Sequence, residues 1–202
     1  MFFPSFLHTR LLSYRKIAVL QSRFLPKKSR GKGLVHVFTG DGKGKTSAAL
    51  GIALRALGHG LKVYLAYFMK GDYPYGERVA LSKFPTVKLE SFGTTEFIDP
   101  GNVKPEEIGL IRQGFEVASQ AVLGGSYDLV ILDEVNLAVA WKLVGLDELI
   151  SLIEEKPPQV DLVLTGRSAD SRLVALADLV TEMVKIKHPY DKGIQARRGI
   201  DY

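Results

Sequence analysis

The sequence predicts an α/β fold built on a mainly parallel sheet, and three observations carry that prediction. From Leu34 onward, short apolar runs alternate with stretches of helical periodicity, as strand–helix–strand units require. The run 34–38 leads through a glycine-rich turn straight into a periodic segment from Ser47 to Leu57. The stretch Leu129-Val130-Ile131-Leu132 is uninterrupted apolar sequence, the signature of a strand covered on both faces.

Taken in order, strands are expected at 34–39, 61–68, 86–91, 128–133, 160–165 and 179–187. Helices are expected at 45–58, 76–83, 105–123, 146–155 and 170–177. Gly58-His59-Gly60 stops the first helix, Pro105 suits the first turn of another, and Pro157-Pro158 ends a third. No internal repeat, linker or second domain interrupts 33–202, and 202 residues suffice for one substantial core.

Composition narrows the function. With 46% hydrophobic and 24% charged residues the chain is neither disordered nor built for a bilayer. No apolar run approaches the ~20 residues a membrane-spanning helix needs. The absence of cysteine excludes disulfides, thiolate catalysis and Cys-ligated metal, and His8, His36, His59 and His188 are too scattered to form a metal cluster. The net charge of +5 is concentrated in a leader, residues 1–32, which holds eight of the basic residues and no acid. From Gly33 onward 19 basic residues face 22 acidic ones, a net of −3, so the body lacks the basic surplus of a nucleic-acid binder. The leader reads either as an extension of a bacterial chain, disordered or folded over the site, or as an organelle transit peptide. A cytoplasmic location goes with the first reading and an organelle with the second.

The turn Thr39-Gly40-Asp41-Gly42-Lys43-Gly44-Lys45-Thr46-Ser47 is the strongest chemical signal. A glycine-rich turn between strand and helix lets backbone N–H groups converge on an anion, and the helix N-terminus adds its positive dipole end. Lys45 suits contact with phosphate oxygens and Thr46 a magnesium ion. The sequence looks like a P-loop, with Thr39 where the usual pattern has its first glycine.

At the end of the apolar strand, Asp133 and Glu134 stand where ligands bind in open α/β sheets and read as the acids that hold metal near Thr46. Arg167, after Thr165-Gly166, and Lys70, after the run 63–69, are placed to neutralise phosphate charge. Tyr75-Gly76-Glu77-Arg78 opens a helix, and Asn136 and Trp141 follow the acids.

These segments resemble, in order, the P-loop class of ATP:cob(I)alamin adenosyltransferases. The resemblance runs from Phe38 to Thr46 and through Arg55-Ala56-Leu57-Gly58-His59-Gly60, Phe68-Met69-Lys70-Gly71 and Gly76-Glu77-Arg78. It continues in Leu132-Asp133-Glu134, Leu164-Thr165-Gly166-Arg167 and Ala177-Asp178, then the tail 187–196 and Gly199-Ile200-Asp201-Tyr202. It implies a three-layer RecA-like P-loop fold, usually a homodimer, with the ATP triphosphate reversed in the loop relative to most P-loop enzymes. It also implies transfer of the 5′-deoxyadenosyl group of ATP to the cobalt of a Co(I) corrinoid, with release of triphosphate.

On that resemblance Lys45, Thr46 and Glu134 are the catalytic set, and Thr46, Asp133 and Glu134 serve Mg²⁺ or Mn²⁺. Gly40, Asp41, Gly42, Lys43, Gly44, Lys45, Thr46, Ser47, Lys70 and Arg167 bind the nucleotide. Family members carry a Phe and a Trp in the corrinoid-facing segment; residues 91–99 offer Phe92 and Phe97 and no Trp. The expected partners are ATP, cob(I)alamin or a cobinamide-type corrinoid, and a flavoprotein-type reductase supplying Co(I), with no nucleic acid and no membrane. Co(I) is already a strong nucleophile, so the protein has to orient the reactants and stabilise the leaving triphosphate. Two other readings use the same residues: an ATPase or kinase with Glu134 orienting the nucleophile at the γ-phosphate, and a nucleotide-binding module without catalysis.

Overall fold

A computed structural model describes residues 31–71, 73–94 and 98–202. The leader expected at 1–32 therefore lies almost wholly outside the described residues, as does Phe97.

Among the described residues six strands form one sheet, all parallel, in the order β3-β2-β4-β5-β1-β6. They are β1 (Val35–Thr39), β2 (Val63–Phe68), β3 (Val87–Phe92), β4 (Leu129–Asp133), β5 (Asp161–Thr165) and β6 (Leu179–Glu182). Alternate residues of each strand face opposite sides, so each central strand feeds two cores. Val63, Leu65 and Tyr67 of β2 pack with Ile131 and Val163 against α1 (Lys45–Gly58) and α2 (Gly76–Leu81). Tyr64, Ala66 and Phe68 pack with Val130, Leu132 and Leu164 beneath α3 (Pro105–Leu123), α4 (Val135–Ala140), α5 (Leu146–Glu155) and α6 (Ser171–Leu176). The result is helix, sheet, helix: the three-layer RecA-like arrangement. Each fully buried Val, Leu or Ile of these strands contributes roughly 1.5–3 kcal/mol relative to exposure.

Three elements differ from the sequence expectation. β6 ends at Glu182 instead of continuing to 187, because its partner β1 turns away after Thr39 and leaves nothing to pair with. The last ladder contact is the Met183 N–H donating to Thr39 O, 2.8 Å. Helix α2 stops at Leu81, two residues early, with Ser82 and Lys83 bonded back onto its last turn. Helix α4 was not expected, since its six residues VNLAVA continue the apolar run of β4 with no change of pattern. The other boundaries agree within two residues, with Pro105 at the start of α3 and the chain leaving α1 at His59.

Candidate functional site

The strand order places one strand, β5, between β1, which feeds the glycine-rich loop, and β4, which ends in the two acids. Their carboxyl ends open on a cleft of about 400 Å³.

The loop is shaped by what it packs on. A Cβ on Gly40 (φ 92°) would stand 2.5 Å from Met183 O, and one on Gly42 2.7 Å from the same oxygen, which also accepts the Gly42 N–H at 2.6 Å. No side chain fits at either place. Thr39, in the position usually held by glycine, uses its hydroxyl to accept from the Ala169 N–H at 3.1 Å. Gly44 caps α1, whose first N–H groups have no acceptor within the helix and border the cleft. Lys45 Nζ donates to Gly40 O (2.6 Å) and Gly42 O (2.8 Å), so the ammonium sits over the concave side of the loop. Burial lowers the Lys45 pKa below the ordinary lysine value, with the negative charge of Glu134 opposing it.

The two acids are neighbours with different surroundings. Asp133 is fully buried: Oδ1 accepts from Thr165 Oγ1 at 2.7 Å and Oδ2 from Lys70 Nζ at 2.6 Å. Thr165 Oγ1 in turn accepts the Glu134 N–H at 2.9 Å, fixing Glu134 in a left-handed conformation (φ 65°) that a non-glycine residue adopts at a cost. That turn aims the Glu134 carboxylate into the cleft, 3.9 Å from Lys70 Nζ. Burial and the charge of Asp133 push the Glu134 carboxyl above the ordinary carboxylate range, against the pull of Lys70, Lys45 and Arg167. Burial alone would lower the Lys70 pKa, but Asp133 and Glu134 outweigh it and hold the ammonium charged.

Arg167 projects from a turn tied to β1 by the Gly166 N–H on Phe38 O (3.2 Å) and by the Ala169–Thr39 bond. It is exposed, lines the cleft, and makes no hydrogen bond or ion pair among the described residues. Four cations, Lys43, Lys45, Lys70 and Arg167, thus surround a space into which the carboxylate of Glu134 also points.

Of the expected site residues, Asp41 to Ser47, Lys70, Glu134 and Arg167 come together in this cleft. Gly40 lies behind it against Met183, and Asp133 lies beneath the floor. Phe92 sits apart: its ring is 6.0 Å from that of Phe68 and rests on Gly114 of α3, where a Cβ would meet its Cγ at 2.3 Å. Sequence reasoning singled out Tyr75 and Glu77 beside the site without a role and did not assign His188, Ile200, Asp201 or Tyr202, yet all six line it. The signal for the last three was the Gly199-Ile200-Asp201-Tyr202 resemblance, which carries no position in space. Arg78 supports Tyr75 from behind, its guanidinium 5.0 Å from that ring and 4.4 Å from Tyr67, donating to Gly71 O at 2.9 Å.

No group of three His, Cys, Asp or Glu among the described residues could hold a metal unaided. Both Asp133 oxygens are already occupied, so of the three residues expected to serve a metal only Thr46 and Glu134 line the cleft. Such a sparse oxygen set suits Mg²⁺, which keeps several waters and takes further ligands from substrate phosphates.

Residues 31–202 match the protein family described as ATP:corrinoid adenosyltransferase BtuR/CobO/CobP. The corrinoid adenosyltransferase of Escherichia coli (strain K12) is 38% identical over 171 residues, covering 85% of this chain and 86% of that one. That of Sinorhizobium sp. is 32% identical over 197 residues, 96% of this chain and 91% of the relative. Corrinoid adenosyltransferase CobA of Salmonella typhimurium is 36% identical over 174 residues, covering 85% and 86%.

Proposed function

The chain belongs to the ATP:corrinoid adenosyltransferase family, a family of transferase enzymes, and we propose that it moves the 5′-deoxyadenosyl group of ATP onto the cobalt of a Co(I) corrinoid. The observation that carries this reading is the convergence of Lys43, Lys45, Lys70 and Arg167 on one cleft at the end of a phosphate loop. No hydroxyl or thiol nucleophile with a partnering base accompanies them among the described residues. Such a site is equipped to stabilise a leaving polyphosphate and not to form a covalent intermediate of its own.

Lys45 and the N–H groups that open α1 bind phosphate oxygens, and Arg167 neutralises charge from the opposite rim. Thr46 and Glu134 are the residues that would hold Mg²⁺, which when bound screens the triphosphate charge. Lys70, clamped by Asp133, keeps its ammonium beside Glu134 and limits the repulsion between that carboxylate and the nucleotide. The Co(I) substrate brings its own nucleophilic electron pair; it forms the Co–C5′ bond as the C5′–O bond breaks, and the pair released goes to triphosphate. The protein's share is alignment and leaving-group stabilisation. The ATPase or kinase reading is not favoured.

A homodimer, a flavoprotein-type reductase that supplies Co(I), and a cytoplasmic location complete the proposal on the strength of family resemblance. No helix among the described residues is long and apolar enough to cross a membrane. Residues 1–32 are proposed as a basic extension, either disordered or covering the site, preceding the catalytic domain 33–202. The test is an assay with ATP, Mg²⁺ and chemically reduced corrinoid: the absorbance change of cobalt–carbon bond formation is expected, and its absence with active corrinoid would reject the reading.

A further inference from the structure

One wall of the cleft comes from residues 197–202, which form a compact turn. The Asp201 N–H donates to Arg197 O (2.8 Å), the Ile200 N–H to the same oxygen (3.2 Å), and the Gly199 N–H to Tyr202 O (2.7 Å). The Asp201 carboxylate then joins this turn to the phosphate loop. Its Oδ2 accepts from the Arg197 backbone N–H at 2.8 Å and from Arg197 Nε at 3.1 Å, while Oδ1 accepts from Lys43 Nζ. At the other end the Tyr202 ring meets Tyr73 edge-on, centroids 5.2 Å apart at 67°, and the Tyr202 carbonyl lies 4.0 Å from where a Cβ on Gly76 would stand. Six residues thus reach from the phosphate loop to the segment that opens α2.

We propose that Asp201 is a positioning residue for the triphosphate of the nucleotide: it seats the 197–202 turn on the phosphate loop and holds the Lys43 ammonium at the edge of the cleft. Lys43 is half exposed, and a lysine on a free stem loses rotamer entropy when it engages a phosphate. A carboxylate that already restrains the stem removes part of that loss. Two cations on one carboxylate leave the group net positive, so Asp201 does not repel the polyanion. Hydrogen bonds from Lys43 and Arg197 hold its carboxyl well below the usual range, and it stays ionised at working pH.

This inference rests on the reading of the cleft as an ATP site, and its test measures binding without transfer. Calorimetry on the full chain uses ATP with Mg²⁺, and separately inorganic triphosphate, with no corrinoid present. Asp201→Asn is expected to weaken both by about tenfold, the scale of one charge-assisted hydrogen bond. Lys43→Ala should cost about as much, the double variant no more than Lys43→Ala alone, and Asp201→Glu should recover most of the affinity. Asp191→Asn, which breaks the Lys185–Asp191 pair of the same tail outside the cleft, should leave affinity unchanged. The KM for corrinoid should not move in Asp201→Asn. Affinity unchanged or tighter in Asp201→Asn, or losses that multiply in the double variant, would overturn the proposal. An unaltered chain that binds ATP in this way but forms no cobalt–carbon bond would instead reject the transferase reading and leave Asp201 in its role.

Discussion

The phosphate loop and the 197–202 turn face the same cleft from positions 158 residues apart in sequence, and they are held there by different means. The loop is backbone architecture: it continues a strand paired on both sides, and two of its glycines lie against the carbonyl of Met183. The turn is fastened by side chains, one carboxylate and one ring contact, on a tail that from Leu179 to Ile200 is exposed except at Met183 and His188. The difference implies a division of labour. Changing a side chain of the loop should alter chemistry and leave the fold, whereas groups in the buried layer beneath it should alter the fold, and groups in the turn should tune affinity.

The sharpest way to break this division is Asp133→Ala. It leaves Lys70 and the Thr165 hydroxyl without their shared partner, and removing one member of a buried pair costs roughly 3–5 kcal/mol. Lys70 keeps about a fifth of its side chain exposed, so the loss in a denaturant titration should fall near 3 kcal/mol. Lys45→Ala tests the other side. Loss of one preorganised donor to a developing charge should lower kcat by about 10²–10³, while the unfolding midpoint stays close to that of the unaltered chain. A large stability loss in Lys45→Ala would make the loop side chain part of the fold.

Glu134 stands at the boundary, and its pH behaviour sharpens the contrast. Its carboxyl is raised in the folded chain by burial and by Asp133, so it takes up a proton at higher pH than an ordinary glutamate. The acid limb of kcat/KM should therefore lie above the ordinary carboxylate range, and Glu134→Gln should abolish turnover. For stability the sign is opposite. A carboxyl raised on folding is favourable below its unfolded pKa and costs stability as pH rises through the folded one. Glu134→Gln should thus raise the thermal midpoint at neutral pH while removing activity.

The smallest effect is expected at Thr39. Thr39→Gly restores the common loop residue but removes the acceptor for the Ala169 N–H and loosens the turn that carries Arg167. A several-fold rise in the KM for ATP is expected, the scale of one neutral hydrogen bond of about 1 kcal/mol, with Thr39→Ser close to unaltered.

Legibility from the sequence followed the same division. The loop, the acid pair and Arg167 could be read because strand, turn and helix are contiguous there, and each residue type states its chemistry at a fixed offset. The roles of Asp133 and Glu134 could not be separated, since only the side chain of Thr165, from β5, shows that one carboxylate is sealed and the other open. The packing of Phe92 on Gly114 of α3 is a contact that no local pattern announces. Helix α4 was hidden because its apolar residues continue those of β4. The Asp201–Lys43 pair was invisible because nothing local marks a tail that returns to a loop so far upstream.

A cleft that stabilises an intact triphosphate as it leaves C5′ should reveal itself in phosphorus NMR of the reaction products. With ATP, Mg²⁺ and Co(I) corrinoid, inorganic triphosphate should accumulate in step with the cobalt–carbon product, and Lys45→Ala should slow both together. ADP and phosphate formed at the same rate with or without corrinoid would contradict it.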